Sequence, residues 1–170
     1  ETPRVLAVTL ENDVNPVTQE YLLDAIKKAE EGDYEAVVIE MDTPGGLGSS
    51  MRDIVKGILA AKIPVIVYVA PSGASADSAG AVIGMAADVL AMAPQTNIGS
   101  STPISIGGED ISKDLRRKVV NDAAAYIGDV SPYLLRGGVA GIAQSGSVTD
   151  AFVHSGSRVG FSRIVSCGSE

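Results

Sequence analysis

At 170 residues and 45% hydrophobic content, the chain has the length of one domain and enough apolar material for a core, which excludes disorder over most of its length. A formal charge of −8, two Phe, five Tyr and no Trp exclude the basic face and the stacking platform that nucleic-acid binding uses. The single cysteine, Cys167, excludes an internal disulfide and a cysteine-rich zinc site.

Arg4 to Leu10 is apolar and β-branched, the pattern of a buried strand. Asn15-Pro16 opens a helix, with Pro in the first turn. Tyr21, Leu22, Ala25, Ile26 and Ala29 then share one face, Lys27, Lys28, Glu30 and Glu31 take the other, and Gly32 ends the element. Ala36 to Met41 is a second strand, closed by Asp42-Thr43-Pro44-Gly45-Gly46. A second helix is expected from about Ser49 to Ala61, a third strand over Ile63–Val69, a short small-residue helix over Ser78–Ala87 and a fourth strand over Asp88–Met92. Strands alternating with helices predict right-handed βαβ units and a parallel sheet covered on both faces.

Thr96 to Gly108 is Ser-, Gly- and Pro-rich and reads as loop. A charged helix is expected from about Glu109 to Ile127. After Gly128 the composition shifts toward Gly, Ser and Val, and a strand-turn-helix-strand pattern begins at Val139. No apolar run approaches the roughly 18 residues that span a bilayer. The chain starts Glu1-Thr2-Pro3 without a signal peptide, so the expectation is a soluble piece of a longer protein whose targeting and membrane segments lie outside it.

In a parallel α/β sheet, reactive groups gather in the loops at the carboxyl ends of the strands. Two glycine-bearing loops hold that position, Asp42 to Gly46 and Ser72 to Gly80. Their main-chain N–H groups can bind an oxyanion, because helix N-termini leave amides unpaired and glycine keeps the approach open. Each loop alone is also an ordinary strand-to-helix turn, in which Ser75 and Ser78 are nothing more than caps. A nucleophilic serine needs a base. The only histidine is His154, and a lone histidine is more often structural. The other option is a lysine made neutral by burial. Lys113 and Lys118 follow the serine, and Lys118, heading the apolar half of its helix, can tuck inward more readily.

The blocks Ala36 to Gly46, Lys62 to Val69, Gly73-Ala-Ser-Ala-Asp-Ser-Ala-Gly80, Ala91-Met-Ala-Pro94 and Asn97-Ile-Gly99 together resemble the NfeD family, membrane-bound serine peptidases of the Clp-protease/crotonase superfamily. The resemblance covers about residues 4–127. It implies an α/β fold built as a ClpP/crotonase-like spiral of β-β-α units, with Ser78 as nucleophile and Lys118 as general base. It further implies an oxyanion hole from Gly46 and the amide of Ala79, and a substrate path along Gly45, Gly73 and Ala74. No metal or cofactor is implied. The implied substrate is an apolar segment of a membrane protein, notably a stomatin-like partner, bound by a homodimer whose parent protein is membrane-associated and extracytoplasmic. Asp77 departs from the family, which favours a small residue before the nucleophile; a carboxylate there would tend to keep a lysine protonated.

Residues 128–170 form the second expected unit, an atypical tail. Gly138 to Val148 and Val159 to Gly168 resemble a fragment of a succinyl-CoA-synthetase-type acyl-CoA ligase, in which Gln144-Ser145-Gly146 opens a helix and could cradle a phosphate. Two alternatives to the peptidase follow: a crotonase-like acyl-CoA binder, and an inactive scaffold.

Overall fold

The computed structural model describes residues 3–101, the helical residues 118–119, 121–123 and 125–126, and two strands, 140–143 and 163–166. Lys113, His154, Cys167 and the Gln144-Ser145-Gly146 turn lie outside the described residues.

Four parallel strands form the main sheet in the order β1 (Val5–Leu10), β2 (Ala36–Met41), β3 (Val65–Val69), β5 (Val89–Met92). The register pairs Val8 with Ile39 and Ile39 with Val67, so one face is lined by Val8, Leu10, Val37, Ile39, Met41, Val65, Val67 and Val69, all buried. The helices α1 (Pro16–Glu31), α2 (Gly48–Ala60) and α3 (Ala79–Ala86) supply Leu22, Ile26, Ile54, Ile58, Val82 and Ile83 to the same core. Burying a side chain of this kind contributes about 1.5–3 kcal/mol.

The opposite face departs from the expectation of a doubly covered sheet. Ala7, Thr9, Glu40 and Tyr68 are exposed on it, and Val38 and Ile66 are half-buried. Burial thus alternates along β1, β2 and β3, the signature of a sheet with one packed face among the described residues.

The helix starts follow local chemistry. Asn15 caps α1 by accepting from the Val17 and Thr18 amides at 2.9 and 3.1 Å, while Thr18 Oγ1 accepts from the Asn15 amide at 2.9 Å. This reciprocal box, with Pro16 at the first helical position, fixes where the chain leaves β1. α3 differs in kind: it is buried on every side, so its N-terminus is delivered from within the core rather than across the surface.

Two elements were not expected. β4 (Ser75–Ala76) and β6 (Asn97–Ile98) pair in parallel, and Thr43 bridges to Ala76 on the other edge of β4. This small second layer stands at the carboxyl ends of the main strands and gives each turn of the chain its β-β-α character. β7 (Ala140–Ala143) and β8 (Arg163–Ser166) form a separate parallel pair, in keeping with the strand pattern expected after Val139.

Candidate active site

Ser78 links β4 to α3. Its backbone has φ +52° and ψ −113°, a region that a residue with a side chain occupies only under strain of order 1–3 kcal/mol. The main chain holds it there. The Ser78 amide donates to Ser100 O at 2.9 Å and Ser101 Oγ donates to Ser78 O at 3.0 Å. Ser78 occupies the cap position of α3, yet its hydroxyl accepts no capping hydrogen bond. Ser75 caps nothing either: its hydroxyl donates to Asp77 Oδ2 at 2.9 Å. The reading of these serines as helix caps is therefore overturned. Among the described residues the half-buried Ser78 hydroxyl has no hydrogen-bond partner.

The Gly45-Gly46 loop lies directly against this turn. Gly45 has φ +99°, and a Cβ on it would stand 2.6 Å from Ser78 Cβ, 2.9 Å from Asp77 O and 3.1 Å from the Ala79 amide nitrogen. Only glycine lets the two loops meet and leaves the Ala79 N–H approachable. Gly46 is pressed against Val14, whose main chain a Cβ would strike. Flanking it, the Val14 amide donates to Gly45 O and the Leu47 amide donates to Val14 O, both at 2.7 Å. Those bonds hold the loop from both sides, and among the described residues the Gly46 and Ala79 amides have no intramolecular acceptor. Ala79 begins α3, where unpaired amides and the positive end of the helix dipole favour negative charge.

Thr43 ties the loop together. It is fully buried, donates through Oγ1 to Asn12 O at 2.7 Å, and receives the Gly45 amide at 3.1 Å. Its own amide donates to Ser75 O at 2.7 Å and its carbonyl accepts from the Asp77 amide at 3.0 Å. Its methyl also explains the glycine of Ser78-Ala79-Gly80, since a Cβ on Gly80 would lie 2.5 Å from Thr43 Cγ2. Sequence reasoning passed over Thr43. The signal was a β-branched hydroxyl between a strand and Pro-Gly-Gly, a position that needs a buried hydrogen-bonding hub.

The remaining expected residues fall as follows. Ala74 is buried, with its amide donating to Pro71 O and its carbonyl accepting from the Asn97 amide, so its main chain is used within the fold. Gly73 is exposed with open space where a Cβ would stand. Asp77 has both carboxylate oxygens engaged, by Ser75 Oγ at 2.9 Å and by Asn97 Nδ2 at 3.0 Å.

Lys118 is helical and exposed in the single chain, a surface position rather than the inward one its place ahead of an apolar stretch allowed. The reason is the helix face: Ala123 and Tyr126 are the half-buried positions, Tyr126 packs against the core, and the Arg52 guanidinium of α2 stacks 4.2 Å over its ring. Burial pushes the Tyr126 hydroxyl above its usual 10.0, partly offset by the positive charges of Arg52 and Lys56. No metal-binding cluster occurs among the described residues.

Comparison with known proteins agrees with this architecture. The family model described as NfeD1b, N-terminal domain, matches residues 4–125. The membrane-bound protease PH1510 of Pyrococcus horikoshii is 40% identical over 126 residues, which is 72% of this chain and 28% of that protein. The membrane protein NfeD1b of Bacillus subtilis is 31% identical over 101 residues, 59% of this chain and 22% of that protein. The chain thus spans less than a third of the curated relatives it matches.

Among solved structures, a serine-to-alanine variant of the 1510-N membrane-bound stomatin-specific protease superposes with a TM-score of 0.70 at 37% identity, covering 77% of this chain and 64% of that one. A lysine-to-alanine variant of the same protease, in complex with a substrate peptide, gives 0.68 at 37% identity over 75% of this chain and 59% of that one. ClpP1 of Listeria monocytogenes, at 19% identity and a TM-score of 0.55 over 73% of this chain and 71% of its own, shows the shared ClpP-like fold alone. The relatives are named as membrane proteins, and no helix among the described residues is long and apolar enough to cross a membrane. With the family match spanning most of its length and the strand-turn-helix geometry in common, the chain belongs to the NfeD family, as an N-terminal domain of the NfeD1b type with a ClpP-like fold.

Proposed function

We propose that this chain is the catalytic domain of a serine endopeptidase, with Ser78 as nucleophile, Lys118 as general base, and the Gly46 and Ala79 amides as the oxyanion hole. The observation that carries it is the strained Ser78 turn, its hydroxyl free of capping, set against a Pro-Gly-Gly loop that only glycine permits. The printed descriptions of the relatives add weight: one variant replaces a serine, the other a lysine, and the second holds a substrate peptide.

In this mechanism the lysine amine takes the Ser78 Oγ proton as Oγ bonds to the scissile carbonyl carbon. The oxyanion forms against the Gly46 and Ala79 amides, and the protonated lysine returns the proton to the departing amine. Water then attacks the acyl-enzyme by the reverse route and frees Ser78. Each oxyanion donor contributes about 2.7–4 kcal/mol, and the base a further 10²–10⁴-fold. A lysine serves as base only where desolvation disfavours its ammonium. Lys118 is exposed in the single chain, and an apolar substrate bound by a homodimer supplies that cover.

The proposed substrate is an apolar segment of a stomatin-like membrane protein, cut by an extracytoplasmic domain held at the membrane; the description of one relative as a membrane-bound stomatin-specific protease supports the stomatin-like substrate and the membrane setting. The substrate path is proposed to run along Gly45, which adjoins Ser78, and on by Gly73 and Ala74. The peptidase unit is proposed to span residues 1–127 and the tail 128–170, from the change of composition at Gly128; the family match over residues 4–125 is compatible with that division. The test is cleavage of casein and of an apolar peptide by the wild type, Ser78→Ala and Lys118→Ala from pH 6 to 10. Loss in both variants, with wild-type activity rising with pH, is the expected result.

A further inference from the structure

The mechanism leaves one charged group beside the nucleophile without a role. Asp77 immediately precedes Ser78, and its two carboxylate oxygens reach in opposite directions along the chain. Oδ2 accepts from Ser75 Oγ at 2.9 Å, on β4 itself, while Oδ1 accepts from Asn97 Nδ2 at 3.0 Å, on β6. β6 leads into the segment that fixes the nucleophile. The Asn97 amide donates to Ala74 O, the Gly99 amide to Ala76 O at 3.0 Å, and Ser100 O receives the Ser78 amide. Ser101 Oγ then closes on Ser78 O. The strained φ of Ser78 is therefore held between β4 and the 97–101 segment, and the Asp77 carboxylate is the side-chain link between those two pieces.

We propose that Asp77 is a positioning residue for acyl transfer, which clamps Ser75 of β4 to Asn97 of β6 and so holds the Ser78 hydroxyl on its line of attack; this rests on Ser78 being the nucleophile. Hydrogen bonds that accept into a carboxylate are the stronger kind, and a displacement of about 1 Å at a reacting atom can cost about 100-fold in rate. The role requires hydrogen bonds from position 77 to both Ser75 and Asn97, not the negative charge as such. An asparagine at position 77 keeps both links once the Asn97 amide rotates: its Oδ1 accepts from Ser75 and its Nδ2 donates to Asn97 Oδ1.

The experiment measures the rate of Ser78 labelling by a fluorophosphonate probe, with kcat and KM for an apolar peptide, in the wild type, Asp77→Ala, Asp77→Asn and Asn97→Ala. Thermal melting is followed for each. Asp77→Ala is expected to label about 10- to 100-fold more slowly and to lose kcat with little change in KM. Asp77→Asn recovers most of that loss. Asn97→Ala, altered at an exposed position, shows a smaller loss of the same kind at near-wild-type melting temperature. Wild-type rates in Asn97→Ala or in a folded Asp77→Ala overturn the clamp and leave Ser78 as nucleophile. Equal loss in Asp77→Ala and Asp77→Asn also overturns it, because the charge would then be what matters. A wild type that the probe does not label removes the nucleophile reading itself, and the clamp falls with it.

Discussion

Replacing Gly45 by alanine attacks the contact on which the site is built. The new methyl would stand 2.6 Å from Ser78 Cβ and 2.9 Å from Asp77 O, at a residue whose φ is +99°. Two costs add. A side chain held in left-handed backbone costs about 1–2 kcal/mol, and overpacking against neighbours that are themselves hydrogen-bonded costs about 1–3 kcal/mol. The sum, about 2–5 kcal/mol, corresponds to a fall in melting temperature of about 4–20 °C for a chain of this size. Because the neighbour that must give way is Ser78, fluorophosphonate labelling falls further than the melting temperature alone would produce. Gly48→Ala is the control. Nothing lies within 4 Å of its would-be Cβ at the start of α2. It should leave labelling unchanged and raise stability by at most about 1 kcal/mol. A Gly45→Ala protein that melts and labels like the wild type would refute the packing argument.

Three further outcomes follow from the fold. Asn15→Ala removes both cap bonds of α1 and should cost about 0.5–2 kcal/mol, read as a lowered urea midpoint at unchanged slope. Arg52→Ala removes the guanidinium stacked on Tyr126 and should cost about 0.5–1 kcal/mol; peptide cleavage should fall as well, since Tyr126 anchors the helix that carries Lys118. Tyr126 has a hydroxyl pushed above 10.0 in the folded chain, so the unfolded chain loses that proton first as pH rises. Stability therefore declines on passing above pH 10, and Tyr126→Phe should flatten that part of the pH–stability curve.

The main sheet and its helices were legible because α1 and α2 carry a helical period and the strands are short β-branched apolar runs between turn residues. β2 was expected over Ala36–Met41 and forms over those residues, and α2 is displaced by one residue from Ser49–Ala61. The two-residue strands β4 and β6 were hidden for the converse reason: so short an element shows no alternation, and Asn97–Ile98 sits inside a stretch whose composition reads as loop. The one-sided packing seen among the described residues was missed because the apolar runs of β2 and β3 suggest burial on both faces. Only Glu40 and Tyr68, one per strand, mark the open side. In the site, glycine spacing behind two strands marked the two loops, and the resemblance to the NfeD family singled out Ser78, Gly45, Gly46 and Ala79 within them. What composition could not carry was direction: that Ser78 leaves its cap role, that Thr43 knits the two loops together, and that Lys118 faces outward while Tyr126 faces the core.

In the proposed mechanism Ser78 is a nucleophile activated by its turn and by Lys118. Its most direct test is fluorophosphonate labelling followed by mass spectrometry of the modified peptide, in the wild type and in Lys118→Ala. A single adduct on Ser78 is expected in the wild type, formed faster at pH 9 than at pH 7, and about 10²–10⁴-fold slower without the lysine. An adduct on another serine, or one on Ser78 that forms equally fast in Lys118→Ala, would contradict it.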